Sequence, residues 1–240
     1  MSDFEELDYR DTPLGAISLR RRAEPRLEGR ILYEVKLGEE FLMSSLFPEA
    51  EIQLAKLGLE ALGGRDLDVV VGGLGLGYTA AAALEFASVR SLRVIEVMTA
   101  VIDWHRKGLV PLGRTLCSDA RCTFAQADFF ALAMDPDCGF DAARPAARAH
   151  ALLLDIDHSP GRWLNPGNGA FYTAAGLARV AAKLHPGGLF GLWSDDPPEA
   201  DFVRLLDSVF RGTEARVVDF PNPYTGGTAS NTVYLARTRT

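Results

Sequence analysis

Short apolar runs alternate with amphipathic segments along the chain from residue 67 onward. A nearly continuous apolar run is typical of a strand buried on both faces, and apolar residues recurring every three or four positions are typical of helices. Strands are predicted over 67–72, 92–97, 121–125, 150–156, 188–193, 214–220 and 230–236. Helices are predicted over 78–87, 98–108, 168–184 and 199–211. This alternation predicts an α/β fold with a doubly wound, mostly parallel sheet of seven strands.

The far edge of this predicted sheet has a different kind of connection. The last two strands come close together across Pro221-Asn-Pro-Tyr-Thr-Gly-Gly227, a stretch rich in turn-forming residues. Strands joined in this way pair antiparallel, so an antiparallel last strand is predicted. We expect Asn222 and Tyr224 in this connection to close over a site at the edge of the sheet.

The N-terminal part of the chain follows a β-type pattern instead. Leu14–Leu19 and Ile31–Leu37 are short apolar runs separated by a basic, proline-containing stretch. They predict a small antiparallel hairpin unit. Pro48, followed by acids in the next turn, marks the start of a helix. The predicted domains are residues 1–47, a small N-terminal β-hairpin unit, and residues 48–240, the α/β domain.

Charge and composition limit the kinds of binding partner to be expected. The chain has 240 residues, of which 48% are hydrophobic and 24% charged, as in ordinary globular proteins. A net charge of −7 argues against general nucleic-acid binding, which needs a basic surface, and is compatible with a cationic substrate. Met1–Glu6 lacks a basic-then-apolar signal, and no apolar run approaches the roughly 18 residues of a membrane span. We therefore expect a cytoplasmic protein without nucleic-acid or membrane partners.

The cysteines and histidines do not predict a metal site. Cys117, Cys122 and Cys138 form neither a paired framework nor a zinc-binding spacing, and their odd number favours a reducing compartment. No cluster of histidines or carboxylates shows the spacing of metal ligands. No metal is therefore predicted.

The most informative motif is a glycine-rich turn after the first strand of the α/β domain. Gly73, Gly75 and Gly77 alternate behind an apolar run, and the next apolar run ends at Glu96, 19 positions after Gly77. The order strand, glycine turn, helix, strand, acid is typical of a nucleotide site in which the carboxylate accepts hydrogen bonds from ribose hydroxyls. A β-carbon in the turn would block the close approach of such a ligand.

The glycine spacing leaves the nature of the ligand open. A dinucleotide motif reads G-x-G-x-x-G, whereas this turn reads G-x-G-x-G. The alternate spacing suits an adenosyl-sulfonium or nucleoside ligand better, because no diphosphate has to lie on the helix N-terminus. The alternatives are a nicotinamide-dependent dehydrogenase, which binding of NADH would support, and a tight turn without a ligand.

Candidate adenine-binding residues follow the third predicted strand of the domain. Ligands of open α/β sheets bind at the carboxyl ends of the strands, which is where Asp128 and Phe129 lie. The Asp128 carboxylate can accept from the exocyclic amine of adenine, and Phe129 can cover the ring. The alternative is that Asp128 caps the short helix that follows.

The fourth strand of the domain ends in a polar loop with catalytic candidates. Asp155, Asp157 and His158 follow four apolar residues. Imidazole is suited to general base catalysis because its pKa lies near neutrality, and the carboxylates can orient or deprotonate an acceptor. The alternative for His158 is a loop histidine bonded to a neighbouring backbone group.

These motifs together resemble the class I S-adenosylmethionine-dependent methyltransferase fold, and within it most closely the spermidine synthase (polyamine aminopropyltransferase) branch. The resemblance covers about residues 30–196 and rests on Gly72–Gly77, Glu96, Gln126-Ala-Asp128 and Leu154-Asp-Ile-Asp-His-Ser-Pro160. It implies that the glycine loop cradles an adenosyl-sulfonium donor, S-adenosylmethionine or its decarboxylated form. It further implies that Glu96 holds the ribose, that Asp128 contacts adenine, and that the acceptor is a small amine such as a polyamine. The N-terminal β unit fits the same branch, in which it often mediates dimers, so a homodimer is expected.

The loop after the fourth strand departs from that branch at the position of its second aspartate. Asp155 matches the first aspartate of its D-S-S-D-P-like loop, but His158 stands where the second aspartate falls. A histidine can take a proton from an ammonium nucleophile, yet it lacks the fixed negative charge that holds a polyamine. Methyl and aminopropyl transfer therefore both stay open for the predicted transferase. The alternative from another class is a non-catalytic adenosyl-binding homologue.

Overall fold

Residues 4–239 are described by the structure, which is a computed structural model. Within this range the N-terminal unit is an antiparallel sheet of four strands in the order β1-β2-β3-β4. The strands are β1 Phe4–Thr12, β2 Gly15–Glu24, β3 Arg30–Leu37 and β4 Glu40–Ser44. The predicted hairpin is thus confirmed as part of a larger unit. Strand β1 was not predicted because it is held by pairing and cross-strand ion pairs such as Glu6–Arg20 at 3.6 Å, not by an apolar pattern.

The α/β part has the predicted architecture. Seven strands of the described chain form one sheet in the order β10-β11-β9-β8-β5-β6-β7. Strands β5 to β9 are parallel, and β11 runs antiparallel to both of its neighbours. The strands are β5 Leu67–Gly72, β6 Val89–Glu96, β7 Cys122–Gln126, β8 Ala149–Leu154, β9 Leu184–Ser194, β10 Arg211–Asn222 and β11 Gly227–Arg237. The doubly wound, mostly parallel sheet is confirmed, and so is the antiparallel direction of the last strand of the chain, β11, which lies between β10 and β9.

The helices cover both faces of this sheet. They are α1 Glu49–Leu62, α2 Tyr78–Leu84, α3 Thr99–Arg106, α4 Gly113–Ser118, α5 Phe129–Met134, α6 Ala174–Ala182 and α7 Ala200–Val209. Helix α6 begins six residues later than predicted, because Thr173 caps it by accepting a hydrogen bond from the Gly176 N–H at 3.1 Å. The segment before it forms a short 3₁₀ helix over Pro166–Ala170.

Two apolar clusters form the core, one on each face of the large sheet. The first joins α1, α2 and α3 to the N-terminal sheet, which contributes Ile17, Leu19 and Val35. The second contains α5, α6 and α7 and is rich in phenylalanine. The N-terminal sheet therefore shares a core with the α/β part. The boundary predicted after residue 47 falls between the end of β4 and the start of α1 and stays a prediction.

The strand order determines where a ligand can bind. The chain runs from β5 outward through β6 to β7, then returns to the other side of β5 to form β8 and β9. The carboxyl ends of β5 and β8 therefore border a topological switch point, where open α/β sheets bind ligands. No helix among the described residues is long and apolar enough to span a membrane.

Candidate functional site

A large cavity opens at this edge of the sheet. Its volume is about 1180 Å³, above the roughly 300–1,000 Å³ typical of a small-molecule pocket, so it can hold a nucleoside and a second ligand together. The carboxyl ends of the parallel strands form its floor, and the N-terminal sheet, including Glu40 and Met43 of β4, covers it. The predicted site residues in its wall are Gly73, Gly75, Glu96, Asp128, Phe129, Asp155 and His158. Gly77 and Asp157 lie outside the wall.

The glycine loop is closely surrounded by other parts of the protein. Gly73 and Gly75 have φ angles of +93° and +46°, a region that favours glycine. A Cβ on Gly73 would overlap the carbonyl oxygen of Asp155, and one on Gly75 would overlap the Met43 side chain. Gly77 instead packs against His105 and Leu116. The loop glycines are thus needed for contacts with β4 and with the loop after β8.

His105 supports this loop from below. Its side chain is buried, and Nε2 lies 2.9 Å from the carbonyl oxygen of Gly75. Burial lowers the pKa of His105, so the ring is neutral, and Nε2 must carry the proton because a carbonyl can only accept. His105 therefore has a structural role, because it holds the backbone of the glycine loop.

Glu96 is held in position at the end of β6. Its carboxylate accepts hydrogen bonds from the backbone N–H groups of Leu74 at 3.0 Å and Met98 at 2.8 Å. Burial raises the pKa of Glu96, and these backbone donors act against that rise. The resulting carboxylate is fixed beside the glycine loop, where it can accept from vicinal hydroxyls.

Asp128 caps a helix and also lies in the cavity wall, so contact with adenine stays a prediction. Its Oδ1 caps α5 by accepting from the N–H groups of Phe130 at 2.8 Å and Ala131 at 3.1 Å. Its side chain also lines the cavity, and Oδ2 has no hydrogen-bond partner among residues 4–239. The cap fixes the carboxylate, so that Oδ2 can face a ligand.

Phe129 belongs to the floor of the site. Its side chain is only 2% exposed and stacks on Phe140 with ring centroids 5.3 Å apart. It also presses on Gly72, where a Cβ would lie 2.7 Å from the Phe129 ring. The ring therefore supports the wall of the cavity from the core and offers a ligand little free surface.

Asp155 lies at the junction between β8 and the glycine loop. Its Oδ2 accepts a hydrogen bond from Thr79 Oγ1 at 2.8 Å. Burial raises the pKa of Asp155 to about 6, and the Thr79 bond acts against that rise. This carboxyl group therefore changes charge close to neutral pH.

Glu51 lines the same cavity and was not among the predicted site residues. The sequence pattern marks it only as an acid in the first turn of α1, but its side chain is 8% exposed and turned into the site. Burial raises the pKa of Glu51 well above its ordinary value, and the negative charge of Asp155 raises it further. Only the packing of α1 on the ends of β8 and β9 could reveal this position.

Asp157 is a buried anchor for the loop that follows. Its carboxylate accepts hydrogen bonds from Leu164 N at 2.8 Å, Asn168 Nδ2 at 2.9 Å and the Tyr172 hydroxyl at 2.9 Å. Burial raises the pKa of Asp157 despite these bonds. Because Leu164 and Asn168 line the cavity, Asp157 shapes the site without forming its wall.

His158 faces the N-terminal sheet across the cavity. Its Nε2 lies 2.7 Å from Glu40 Oε1, and its carbonyl oxygen accepts from the Asp195 N–H at 2.7 Å. The Asp195 carboxylate accepts in turn from Asn231 Nδ2 at 3.0 Å and Arg162 Nη2 at 3.1 Å. The alternative in which the His158 ring bonds a neighbouring backbone group is wrong, because its partner is a carboxylate 118 residues away.

The cavity is strongly acidic. Among the described residues its wall contains two arginines and seven carboxylates: Asp11, Glu40, Glu51, Glu96, Asp128, Asp155 and Asp195. Arg10 is paired with Asp8 and Asp103, and Arg162 with Asp195 and Asp196, at 2.8–3.1 Å. A low-dielectric cleft lined by acids concentrates cations.

Trp193, near the end of β9, has an indole N–H group without a hydrogen-bond partner among the described residues. Its side chain lines the cavity, and its Nε1 is buried. A buried N–H without a partner is costly, so a ligand atom that accepts from it would be stabilised. Trp193 is the last residue of a predicted strand, and no sequence motif marks its indole as a ligand-binding group.

Two kinds of sequence comparison find no relative, whereas solved structures share the fold. No protein-family model and no curated protein matches the sequence. A crystal structure of spermidine synthase in complex with the transition-state analogue AdoDATO superimposes with a TM-score of 0.71 at 15% identity. The structure of spermidine synthase from Thermotoga maritima gives 0.68 at 16% identity. Each comparison covers 97% of this chain and 72% of the other. The chain therefore has the spermidine synthase-like form of the methyltransferase fold, as its motifs predicted.

Proposed function

We propose that the protein is a transferase that binds an adenosyl-sulfonium donor and moves an alkyl group to a small amine. The observation that carries this proposal is the order of side chains along the sheet edge. Asp128 follows β7, Glu96 ends β6, the glycine loop follows β5, and Asp155 follows β8. Adenine, ribose, sulfonium and acceptor can occupy these positions in turn. The solved structures that share the fold support it, since one of them holds a transition-state analogue.

The proposed chemistry needs little more than positioning and a proton acceptor. The amine nitrogen attacks the carbon beside the sulfonium, the new N–C bond forms as the C–S bond breaks, and a neutral thioether leaves. Before attack, the acceptor ammonium must lose a proton. Asp155 can take it near neutral pH because its pKa lies at about 6, and proton transfer of this kind contributes roughly 10²–10⁴-fold to the rate.

The other two predicted catalytic residues have different proposed roles. His158 and Glu40 form a pair in the cavity wall that can bind the far end of an amine acceptor. Asp157 is a positioning residue, because it holds the loop carrying Asn168 and does not line the cavity. Cytoplasmic location and homodimerisation stay predictions from the sequence.

The charges of the cavity favour one of the two possible donors. S-adenosylmethionine carries a carboxylate, which needs a cationic partner in a desolvated site. Both arginines in the wall are already paired with acids, whereas several carboxylates are available to an ammonium group. We therefore propose that the donor is the decarboxylated form, that the transferred group is aminopropyl, and that the acceptor is a polyamine-type amine.

Calorimetry with the two donors tests this function. We expect decarboxylated S-adenosylmethionine to bind at least about tenfold more tightly than S-adenosylmethionine. Glu96→Gln should weaken both, because the carboxylate that accepts from ribose is lost, whereas Glu60→Gln on the exposed side of α1 is the matched control. Preference for S-adenosylmethionine would support methyl transfer instead. If neither donor binds below the millimolar range, the transferase proposal is wrong.

A second candidate is a binding protein of the same fold without catalysis. It is favoured by the engagement of His158 with Glu40, which leaves that side chain facing the N-terminal sheet. It predicts that His158→Ala leaves donor affinity and any measured function unchanged. A collapse of aminopropyl transfer in this variant, with donor affinity retained, would exclude it.

A further inference from the structure

A buried carboxyl group, Glu51, and a half-buried one, Asp155, lie in the cavity wall without a cationic partner among residues 4–239. Glu51 comes from the first turn of α1 and Asp155 from the end of β8, and Thr79 lies against both. The Thr79 hydroxyl donates to Asp155 Oδ2 at 2.8 Å and also lies 3.2 Å from the Glu51 carbonyl oxygen. Glu51 Oε2 is buried and has no hydrogen-bond partner among the described residues. An unpartnered buried carboxylate oxygen beside a second carboxyl group is a site for a cation with N–H donors.

The position of this pair along the sheet edge identifies what it faces. Neighbouring strands lie about 4.8 Å apart, and the order across the site is β6, β5, β8, β9. Glu96 ends β6, so Asp155 after β8 lies about two strand spacings further along. That is the stretch between the ribose and the far wall near Trp193. Glu51 and Asp155 therefore border the place where transferred group and acceptor meet.

We propose that Glu51 and Asp155 form one carboxyl pair that binds a single primary alkylammonium group, with Glu51 as the residue that makes this subsite selective for a cation. The inference deepens the proposed function and rests on it for the source of the ammonium group. That group belongs either to the aminopropyl chain of the donor or to the amine acceptor, and both have the same chemistry.

Two carboxyl groups that share a site do not both ionise readily, so the empty pair retains a proton. Among residues 4–239, the titratable groups that interact most strongly with Glu51 are Glu49 on its own helix, Tyr78 on α2, Asp155 after β8 and Asp195 after β9. None of them is a cation. An incoming ammonium ion supplies the missing positive charge, and the pair then releases its proton to solvent.

Calorimetry in two buffers of different ionisation enthalpy measures this proton release. The probes are 1,4-diaminobutane, titrated with and without 5′-methylthioadenosine, and decarboxylated S-adenosylmethionine. We expect wild-type protein at pH 7 to release a substantial fraction of one proton with at least one of the two ammonium probes. Glu51→Gln should abolish the release and weaken that probe at least about tenfold. Glu60→Gln, the same change on the exposed side of α1, should leave both unchanged.

The results distinguish the two sources of the ammonium group, and they also distinguish failure of the Glu51–Asp155 pair from failure of the proposed transferase function. Release with the diamine assigns the subsite to the acceptor, and release with the donor assigns it to the aminopropyl chain; both support the pair. Wild-type affinity and proton release in a folded Glu51→Gln variant, or no release from the wild type with either probe, would overturn it. Failure of both adenosyl compounds to bind would count against the proposed function. Binding of the diamine alone would still test the role of Glu51.

Discussion

At the scale of single residues, the geometry around Gly73 links the two halves of the site. The residue combines a φ of +93° with close contact to the backbone of Asp155. Gly75 also has a positive φ, but its near neighbour is the flexible end of Met43. A rigid carbonyl cannot move aside, whereas a methionine side chain can adopt another rotamer. Gly73 is therefore expected to tolerate a side chain less well than Gly75.

Replacing these glycines by alanine tests that difference. Gly73→Ala should lower the free energy of unfolding by about 2–4 kcal/mol, since backbone strain adds to overlap with Asp155. Gly75→Ala should cost about 1 kcal/mol. Urea denaturation of both variants measures the difference. Equal losses would show that the loop after β8 can shift freely.

The pKa of Asp155 predicts how stability depends on pH. Because burial raises the pKa from 3.8 to about 6, the folded protein binds a proton more tightly than the unfolded chain does. The contribution of this group to stability is therefore fully present below about pH 4 and is lost as the pH rises to about 6. Each pH unit that separates the folded and unfolded pKa values of a group corresponds to about 1.4 kcal/mol.

Asp155→Asn should remove this penalty. We expect the variant to be more stable than the wild type above pH 6, by on the order of 1–3 kcal/mol, with the difference vanishing near pH 4. Thermal unfolding across this pH range is the measurement. Asp207→Asn on the exposed side of α7 is the control and should follow the wild-type curve. A constant difference at all pH values would contradict the raised pKa.

At the scale of elements, the hairpin formed by β10 and β11 reaches the N-terminal sheet. The hydroxyl of Tyr224 at its tip donates to Glu24 Oε2 at 2.8 Å and accepts from Arg22 Nη2 at 3.0 Å. Hydrogen bonds from Arg22, and then from Tyr224, lower the pKa of Glu24 to about 2. Asn222 lines the cavity, whereas Tyr224 does not. The hairpin therefore contributes Asn222 to the cavity wall, and its Tyr224 binds the N-terminal sheet that covers the cavity.

Tyr224→Phe tests whether this contact holds the N-terminal sheet over the cavity. Loss of the hydroxyl should reduce stability by about 0.5–1.5 kcal/mol, the usual net value of a hydrogen bond. It should also weaken a cavity ligand, because β4 contributes Glu40 and Met43 to the wall. Urea denaturation and ligand calorimetry measure the two effects. Tyr9→Phe on the exposed side of β1 is the matched control. Unchanged ligand affinity would show that the N-terminal sheet is held in place by its apolar core contacts alone.

At the scale of the whole molecule, many acidic side chains line the candidate site. The chain carries a net charge of −7, and seven carboxylates among the described residues line one cavity. Interactions with such a field are screened by salt, with a Debye length of about 30 Å at 0.01 M and about 8 Å at 0.15 M. The affinity for a cationic ligand should therefore depend on ionic strength, and the affinity for a neutral ligand should not.

We expect the affinity for 1,4-diaminobutane to fall severalfold when the ionic strength rises from about 0.01 M to about 0.15 M. The affinity for uncharged 5′-methylthioadenosine should change little over the same range. Calorimetry at both ionic strengths measures each ligand on the same protein. A similar salt dependence for both compounds would mean that the cavity field does not act on the amine.

The sequence predicted the fold and the part of the cavity wall near the glycine loop better than the part formed by β4 and α1. Glycine spacing and the acid after the next strand are local signals, so Gly73 and Glu96 could be found along the chain. Glu40 and Glu51 could not, because each lies in a helix or strand that is ordinary by itself. They enter the site only when β4 and α1 pack over the ends of the central strands.

The sequence by itself determined the order along the chain of the seven strands that form the large sheet, since apolar periodicity reflects which face of each element is buried. It also determined which strand ends carry glycine, aspartate and histidine. Tertiary structure alone decided that Asp157 holds a loop while Asp155 lines the cavity, although the two are only two residues apart. It alone decided that His158 meets Glu40 and that Glu51 meets Asp155. These outcomes depend on contacts between residues far apart in the chain, which no local pattern encodes.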